Sequence, residues 1–83
     1  MFQRFKERIK TVRAVQNTGD NLKELQALYA LADDTEVPVF DDEKNLVIGE
    51  YKICLKNEWL IIDEFDEPYS EDPDIFSVIW EKL

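Results

Sequence analysis

The segment between Lys56 and Trp80 carries eight carboxylates and no basic residue, and it is also the most aromatic part of the chain. The carboxylates are Glu58, Asp63, Glu64, Asp66, Glu67, Glu71, Asp72 and Asp74. The apolar residues among them include Trp59, Leu60, Ile61, Ile62, Phe65, Tyr69, Ile75 and Phe76. A disordered acidic tail lacks the apolar residues that would form a core, so this segment is expected to fold. Its apolar side chains are expected inside and its carboxylates on the surface.

The chain is expected to form one domain, residues 1–83, because 83 residues are too few for two separate cores. A hydrophobic content of 45% is that of a folded protein, although a net charge of −9 opposes compaction through self-repulsion. A domain of this size buries only ~60% of the surface of its unfolded chain. Its stability is therefore expected to be modest unless a partner contributes.

The N-terminal residues have the opposite charge, because five basic residues stand there against the single acidic residue Glu7. The basic residues are Arg4, Lys6, Arg8, Lys10 and Arg13. Apolar residues recur in steps of three and four along the same segment, at Phe2, Phe5, Ile9 and Val12. This period predicts an amphipathic helix from Phe2 to about Gln16.

A second helix is predicted from Asn21 to about Ala32. Asn21 is a suitable N-cap, and Glu24 three residues later has the spacing of a capping box. Leu and Ala dominate the residues that follow, and both favour a helix. The short connection around Gly19 would make the two helices antiparallel neighbours or a helix–turn–helix pair.

After the second helix the apolar period changes to two, which predicts strands. Val37–Phe40 is expected at an edge because it contains Pro38. Residues 46–55 are predicted as one strand with a bulge or bend at Gly49, and residues 59–65 as the central strand that pairs with it. The connecting turn and loop are assigned to residues 41–45 and 66–71.

The C-terminal residues are predicted as a helix, with Asp72 as its cap and Pro73 at its first position. A fourth strand over residues 76–80 is the alternative. The predicted fold class is therefore α+β: two N-terminal helices packed on a small antiparallel three-stranded sheet, with a C-terminal helix or a fourth strand.

Few residues that carry enzymatic chemistry are present. There is no His, which is the commonest general base and metal ligand. Ser70 and Ser77 have no base to activate them, and the only thiol, Cys54, is expected to be a small buried side chain within a strand. Two glycines do not make a phosphate-binding loop. The sequence predicts no enzyme, no metal site and no cofactor.

The sequence also predicts where the protein acts. No apolar run reaches the ~20 residues of a membrane span, and the N-terminus lacks the apolar stretch of a signal peptide. A single cysteine fits a reducing compartment. A cytoplasmic protein that does not bind membranes is expected.

The charge pattern points to a protein partner. Carboxylates on an ordered backbone with aromatic residues between them can imitate the spaced phosphates and stacked bases of nucleic acid, and they attract a basic protein surface. The sequence therefore predicts a protein-binding module that inhibits or regulates a nucleic-acid-binding enzyme and does not itself bind nucleic acid. The predicted contact residues, called the acidic surface below, are Asp63, Glu64, Asp66, Glu67, Tyr69, Glu71, Asp72 and Asp74.

In size and charge the chain is similar to small acidic phage and mobile-element proteins that inhibit nucleases, restriction enzymes or CRISPR effectors. One alternative is a structural or assembly subunit that self-associates, for example as a homodimer, through its basic N-terminal helix. A second alternative is a winged helix–turn–helix DNA binder, which the net charge of −9 disfavours. The third alternative is that the acidity only keeps a small domain in solution.

Overall fold

A computed structural model describes residues 12–32 and 36–80, which contain six strands and two helices. The strands are β1 (Arg13–Gln16), β2 (Val39–Phe40), β3 (Leu46–Ile48), β4 (Tyr51–Cys54), β5 (Trp59–Ile62) and β6 (Pro68–Glu71). The helices are α1 (Leu22–Tyr29) and α2 (Pro73–Ile79). Both helices and every strand are short, so tertiary packing rather than local propensity decides which elements persist.

The strands form two antiparallel sheets of three strands each. Sheet A has the order β1-β5-β6, and sheet B has the order β2-β3-β4. In sheet A, Leu60 on the central strand lies opposite Val15 on one side and Ser70 on the other. The prediction of a single three-stranded sheet under two N-terminal helices is therefore wrong, although the mixture of helices and antiparallel strands is as expected.

The core lies between α1 and the inner faces of both sheets. Leu25, Leu28 and Tyr29 on α1 are buried against residues of the two sheets. Those sheet residues are Leu46, Cys54, Leu60 and Ile62. Burying a Leu or Ile side chain contributes about 1.5–3 kcal/mol, so this shared core is what joins two small sheets that would be marginal alone.

The prediction of one strand over residues 46–55 is wrong, because the chain reverses at Gly49 and Glu50 and forms two strands. Ile48 lies opposite Tyr51, which leaves Gly49 and Glu50 as a two-residue hairpin loop. Gly49 has φ +59°, a positive value that glycine adopts without strain and that the two-residue hairpin turns require at their first loop position. The ladder does contain an irregularity, but it falls between Leu46 and Val47.

The predicted N-terminal helix is wrong over its last residues. Residues 1–11 lie outside the described residues, but Arg13–Gln16 is strand β1 and pairs with β5 in the register Arg13↔Ile62 to Gln16↔Trp59. Val12 and Val15 are β-branched and suit a strand as readily as a helical stripe. The backbone hydrogen bonds to β5 decide between the two.

The predicted loop over residues 66–71 is also wrong, because Pro68–Glu71 forms β6 along the open edge of β5. Pro68 is the first residue of this edge strand, one of the few strand positions that tolerate proline. The prediction that residues 59–65 form a central strand is confirmed over Trp59–Ile62, but its partners are β1 and β6 and not residues 51–55.

Several local predictions are confirmed. α2 is a helix and not a fourth strand, and the Asp72 carboxylate caps it by accepting a hydrogen bond from the Asp74 N–H at 2.8 Å. Residues 41–45 form the expected turn, in which the backbone N–H of Asn45 lowers the pKa of Asp41. α1 begins after Asn21 but ends at Tyr29, three residues before the predicted end.

The predicted capping box at Asn21 does not form, because its side chain does not cap α1. The Asn21 amide nitrogen donates to the Gln16 carbonyl at 2.8 Å and to the Glu24 carboxylate at 3.0 Å. Its amide oxygen accepts from the Thr18 N–H at 3.1 Å. The Asn21 side chain therefore fixes the connection between β1 and α1.

Asn17, directly after β1, is fully buried and joins the two sheets. Its amide nitrogen donates to the carbonyls of Lys44 at 3.0 Å and Cys54 at 3.1 Å, and its amide oxygen accepts from the Gly19 N–H at 3.0 Å. Its backbone N–H donates to the Glu58 carbonyl at 2.8 Å. Because a buried amide must be satisfied, Asn17 fixes where sheet A stands against sheet B.

Candidate protein-binding surface

The acidic surface lies along the outer face of sheet A, the face that points away from the core. Side chains alternate along a strand, and since Leu60 and Ile62 enter the core, Trp59 and Ile61 face outward. Tyr69 lies opposite Ile61 and Glu71 opposite Trp59, so both share that face. Ile61 is nevertheless fully buried, so β5 is apolar and covered on both faces.

At one end of sheet A, the turn between β5 and β6 holds four of the eight residues. The Asp63 carboxylate accepts hydrogen bonds from the N–H groups of Phe65 at 2.8 Å and Glu67 at 2.9 Å. The Asp63 carbonyl accepts from the Asp66 N–H at 3.1 Å. One acidic residue therefore organises the turn, and Glu64, Asp66 and Glu67 are exposed around it.

Arg13 on β1 reaches this turn. Its guanidinium lies 2.7 Å from the Asp66 carboxylate, and the two side chains are 48% and 56% exposed. An exposed ion pair of this kind contributes ~0–1 kcal/mol, so it orients the turn more than it stabilises the fold. The structure thus shows one contact between a basic residue and the acidic surface, made from strand β1.

Tyr69 and Glu71 lie on β6, between the turn and the other end of sheet A. Partial burial raises the pKa of the Tyr69 hydroxyl, and the negative charges of Glu71 and Asp63 raise it further. The Tyr69 hydroxyl therefore stays protonated at neutral pH and remains a hydrogen-bond donor among carboxylates. The Glu71 carboxylate accepts a hydrogen bond from the Trp80 indole N–H at 3.3 Å.

Asp72 and Asp74 lie at the start of α2, at the opposite end of β6 from the turn. The Phe76 ring stacks on Trp59 with ring centroids 4.2 Å apart and an interplanar angle of 6°. This stack and the Trp80–Glu71 hydrogen bond hold the helix against the outer face. The acidic surface therefore consists of two clusters of carboxylates, which are separated by the length of a four-residue strand, ~13 Å.

The structure adds a feature that the sequence reading missed. α2 contains no buried residue, and Ile75, Val78 and Ile79 are 53%, 85% and 55% exposed. The apolar side chains of this segment were expected inside, but a helical period shows only which residues share a side and not what covers that side. The acidic surface is thus joined to an exposed apolar patch.

Two other chemical possibilities were tested on the described residues. Within residues 12–32 and 36–80, no group of three or more His, Cys, Asp or Glu side chains is arranged to hold a metal ion. Cys54 is buried on β4, and burial, followed by the charge of Glu58, raises the pKa of its thiol to about 12. Because the thiolate is the nucleophile, this protonated thiol has the character of a packing residue.

Over the same described ranges, no helix has the length and apolar character that crossing a membrane requires. No family model, curated protein or solved structure matches the chain. The surface chemistry of the described residues is thus the basis on which a function is proposed.

Proposed function

We propose that this protein is a protein-binding module whose acidic surface engages a basic surface on a nucleic-acid-binding protein, and that it acts as an inhibitor or regulator of that protein. The observation that supports this most is that the carboxylates stand on an ordered frame. Asp63 fixes the turn that carries one cluster, and Asp72 caps the helix that carries the other. A surface fixed before binding loses little conformational freedom on binding.

The partner's chemistry follows from the charge. No basic side chain lies among the described residues after Lys56, and Arg13 is the one basic residue in the strands of sheet A, so the carboxylates of the acidic surface outnumber the positive charges beside them. Such an excess of negative charge speeds encounter with a basic partner and disfavours nucleic acid itself, whose phosphates carry the same sign. A protein site that normally binds phosphates is therefore the expected target, and the cytoplasm, where Cys54 would stay reduced, is the proposed compartment.

The experiment is affinity capture with matched charge-reversal variants. The double variant Glu64→Lys/Glu67→Lys changes two exposed residues of the turn and leaves the Asp63 hydrogen bonds and the Arg13–Asp66 pair in place. The control is Asp42→Lys/Glu43→Lys, which makes the same change of charge at exposed residues of the turn before β3. We expect the turn variant to lose its partner and the control to retain it.

The captured protein then identifies the class of partner. It is expected to bind duplex or single-stranded nucleic acid, and added nucleic acid is expected to release it from the immobilised chain. Affinity should fall steeply as salt rises, because exposed charges are screened. Equal capture by both double variants, or a captured protein with no affinity for nucleic acid, contradicts the proposal.

Of the two alternative functions, the winged-helix interpretation loses its structural basis in the described residues. Residues 13–16 are a strand, so no helix leads directly into α1, and α1 itself carries one basic residue, Lys23. Self-association through the N-terminal segment rests on residues 1–11 and lies outside the described residues. Sedimentation over a range of protein concentrations tests it directly.

A further inference from the structure

α2 is apolar on two sides, and only one of them lies against the protein. Phe76 and Trp80, four residues apart, face sheet A through the Trp59 stack and the Glu71 hydrogen bond. A helix that is apolar all round is normally a buried helix. On composition, α2 therefore has a second side that something else is expected to cover.

The uncovered side consists of Ile75, Val78 and Ile79. Val78 is 85% exposed, the largest exposure of any large apolar residue in the described ranges. The exposure is not a scattered single residue, because positions 75, 78 and 79 lie together at helical spacing. A contiguous apolar patch with a polar rim is characteristic of a protein interface.

The rim of this patch is acidic. Asp74 lies one turn before Val78 on the same side of α2, and Asp72 lies one turn before Ile75. Ser77, the remaining polar residue of the helix, bonds the Asp74 carbonyl at 3.0 Å. The patch is thus bordered by negative charge and by a neutral hydroxyl, and the described chain supplies no positive charge from residue 57 to residue 80.

We propose that the outward side of α2 is the apolar anchor of the acidic surface, and that its occupant is a basic amphipathic helix of the partner protein. Apolar side chains of that helix would cover Ile75, Val78 and Ile79, while its Lys and Arg side chains would reach Asp72 and Asp74. This inference rests on the proposed function and adds that charge alone is not sufficient. A second copy docked with its own α2 against this patch fits less well, because it would set two acidic rims against each other.

The test uses the full-length chain and a labelled synthetic Leu/Lys peptide with the apolar period of an amphipathic helix. Oligolysine of equal charge serves as the comparison peptide. The variant Val78→Asp is compared with Val37→Asp, which places the same new charge on another exposed valine, 68% exposed and remote in sequence from α2. Tryptophan fluorescence checks that the Trp59–Phe76 stack survives in both variants.

We expect the Leu/Lys peptide to bind more tightly than oligolysine, and Val78→Asp to weaken its binding at least ~10-fold, since one buried valine is worth about that factor. Val37→Asp should change affinity less than ~2-fold.

Equal binding of the two peptides overturns the inference but leaves the proposed function standing, since charge would then suffice. If neither peptide binds, both fail. A concentration-dependent dimer that Val78→Asp dissociates overturns it in favour of self-association.

Discussion

The two ends of the strand pair β1–β5 are organised in similar ways but have different roles. At one end the Asn17 amide bonds three backbone groups and is completely buried. At the other end the Asp63 carboxylate bonds two backbone N–H groups at a surface turn. In both cases one polar side chain determines the path of the backbone. The difference is burial, which makes the first a structural junction and leaves the second free to carry exposed carboxylates.

The largest expected effect tests the buried end. Asn17→Ala removes the donor to the Lys44 and Cys54 carbonyls and the acceptor of the Gly19 N–H. Leaving buried polar groups without partners costs ~1–3 kcal/mol each in the worst case, so we expect a loss of about 3 kcal/mol in the free energy of unfolding. Urea denaturation measures it. A loss below ~1 kcal/mol would show that water replaces the amide and that the junction is not dry.

The exposed end should respond less to the equivalent change. Asp63→Ala removes two hydrogen bonds at a turn where water can satisfy the released N–H groups, so a loss of ~1 kcal/mol is expected. The same urea experiment applies, and Asp63→Asn is the control because its amide oxygen can still accept both bonds. In Asp63→Ala the free energy of partner binding should fall by more than the free energy of unfolding does, because the turn carries Glu64, Asp66 and Glu67. A stability loss as large as that of Asn17→Ala would erase the contrast between the two ends.

The smallest effect concerns backbone conformation at the two ends. Lys44 has φ +67° beside the Asn17 junction, and Asp66 has φ +61° in the acidic turn. Glycine adopts this conformation without strain, so Lys44→Gly is expected to stabilise by ~0.5–1 kcal/mol. Asp66→Gly should gain less, because aspartate tolerates the conformation better and the change removes the pair with Arg13. Thermal melting of both variants compares them, and equal gains would mean that the Arg13–Asp66 pair contributes nothing.

Local signals predicted the local structure well. Asp72 with Pro73 marked the start of α2, and the apolar run at residues 59–62 marked a central strand, because both depend on neighbouring residues. What the sequence did not predict is which strands pair. Arg13–Gln16 becomes a strand only because the open edge of β5 lies beside it, 43 or more residues later in the chain, and no local period carries that information.

The site was predicted in part. The acidic residues were found because charge is visible in the sequence, and their grouping on two elements is what the structure adds. Gly49 was predicted as a bulge or bend within one strand, since a glycine within an apolar run suits either a bulge or a two-residue hairpin. The exposure of Ile75, Val78 and Ile79 was not predicted, because the apolar side chains of this segment were expected inside.

The Arg13–Asp66 contact joins residues 53 positions apart, whereas β5 and β6 are joined by a turn of a few residues. Closing a long loop costs more chain entropy than closing a short hairpin, and the difference grows with the logarithm of loop length. Sheet B and the β5–β6 hairpin are each made from contiguous sequence, so they carry the small cost. The pairing of β1 with β5 carries the larger cost in chain entropy. The acidic turn is therefore closed by residues that are neighbours in the sequence, whereas the pairing of β1 with β5, which brings Arg13 to the turn, closes the longest loop of sheet A.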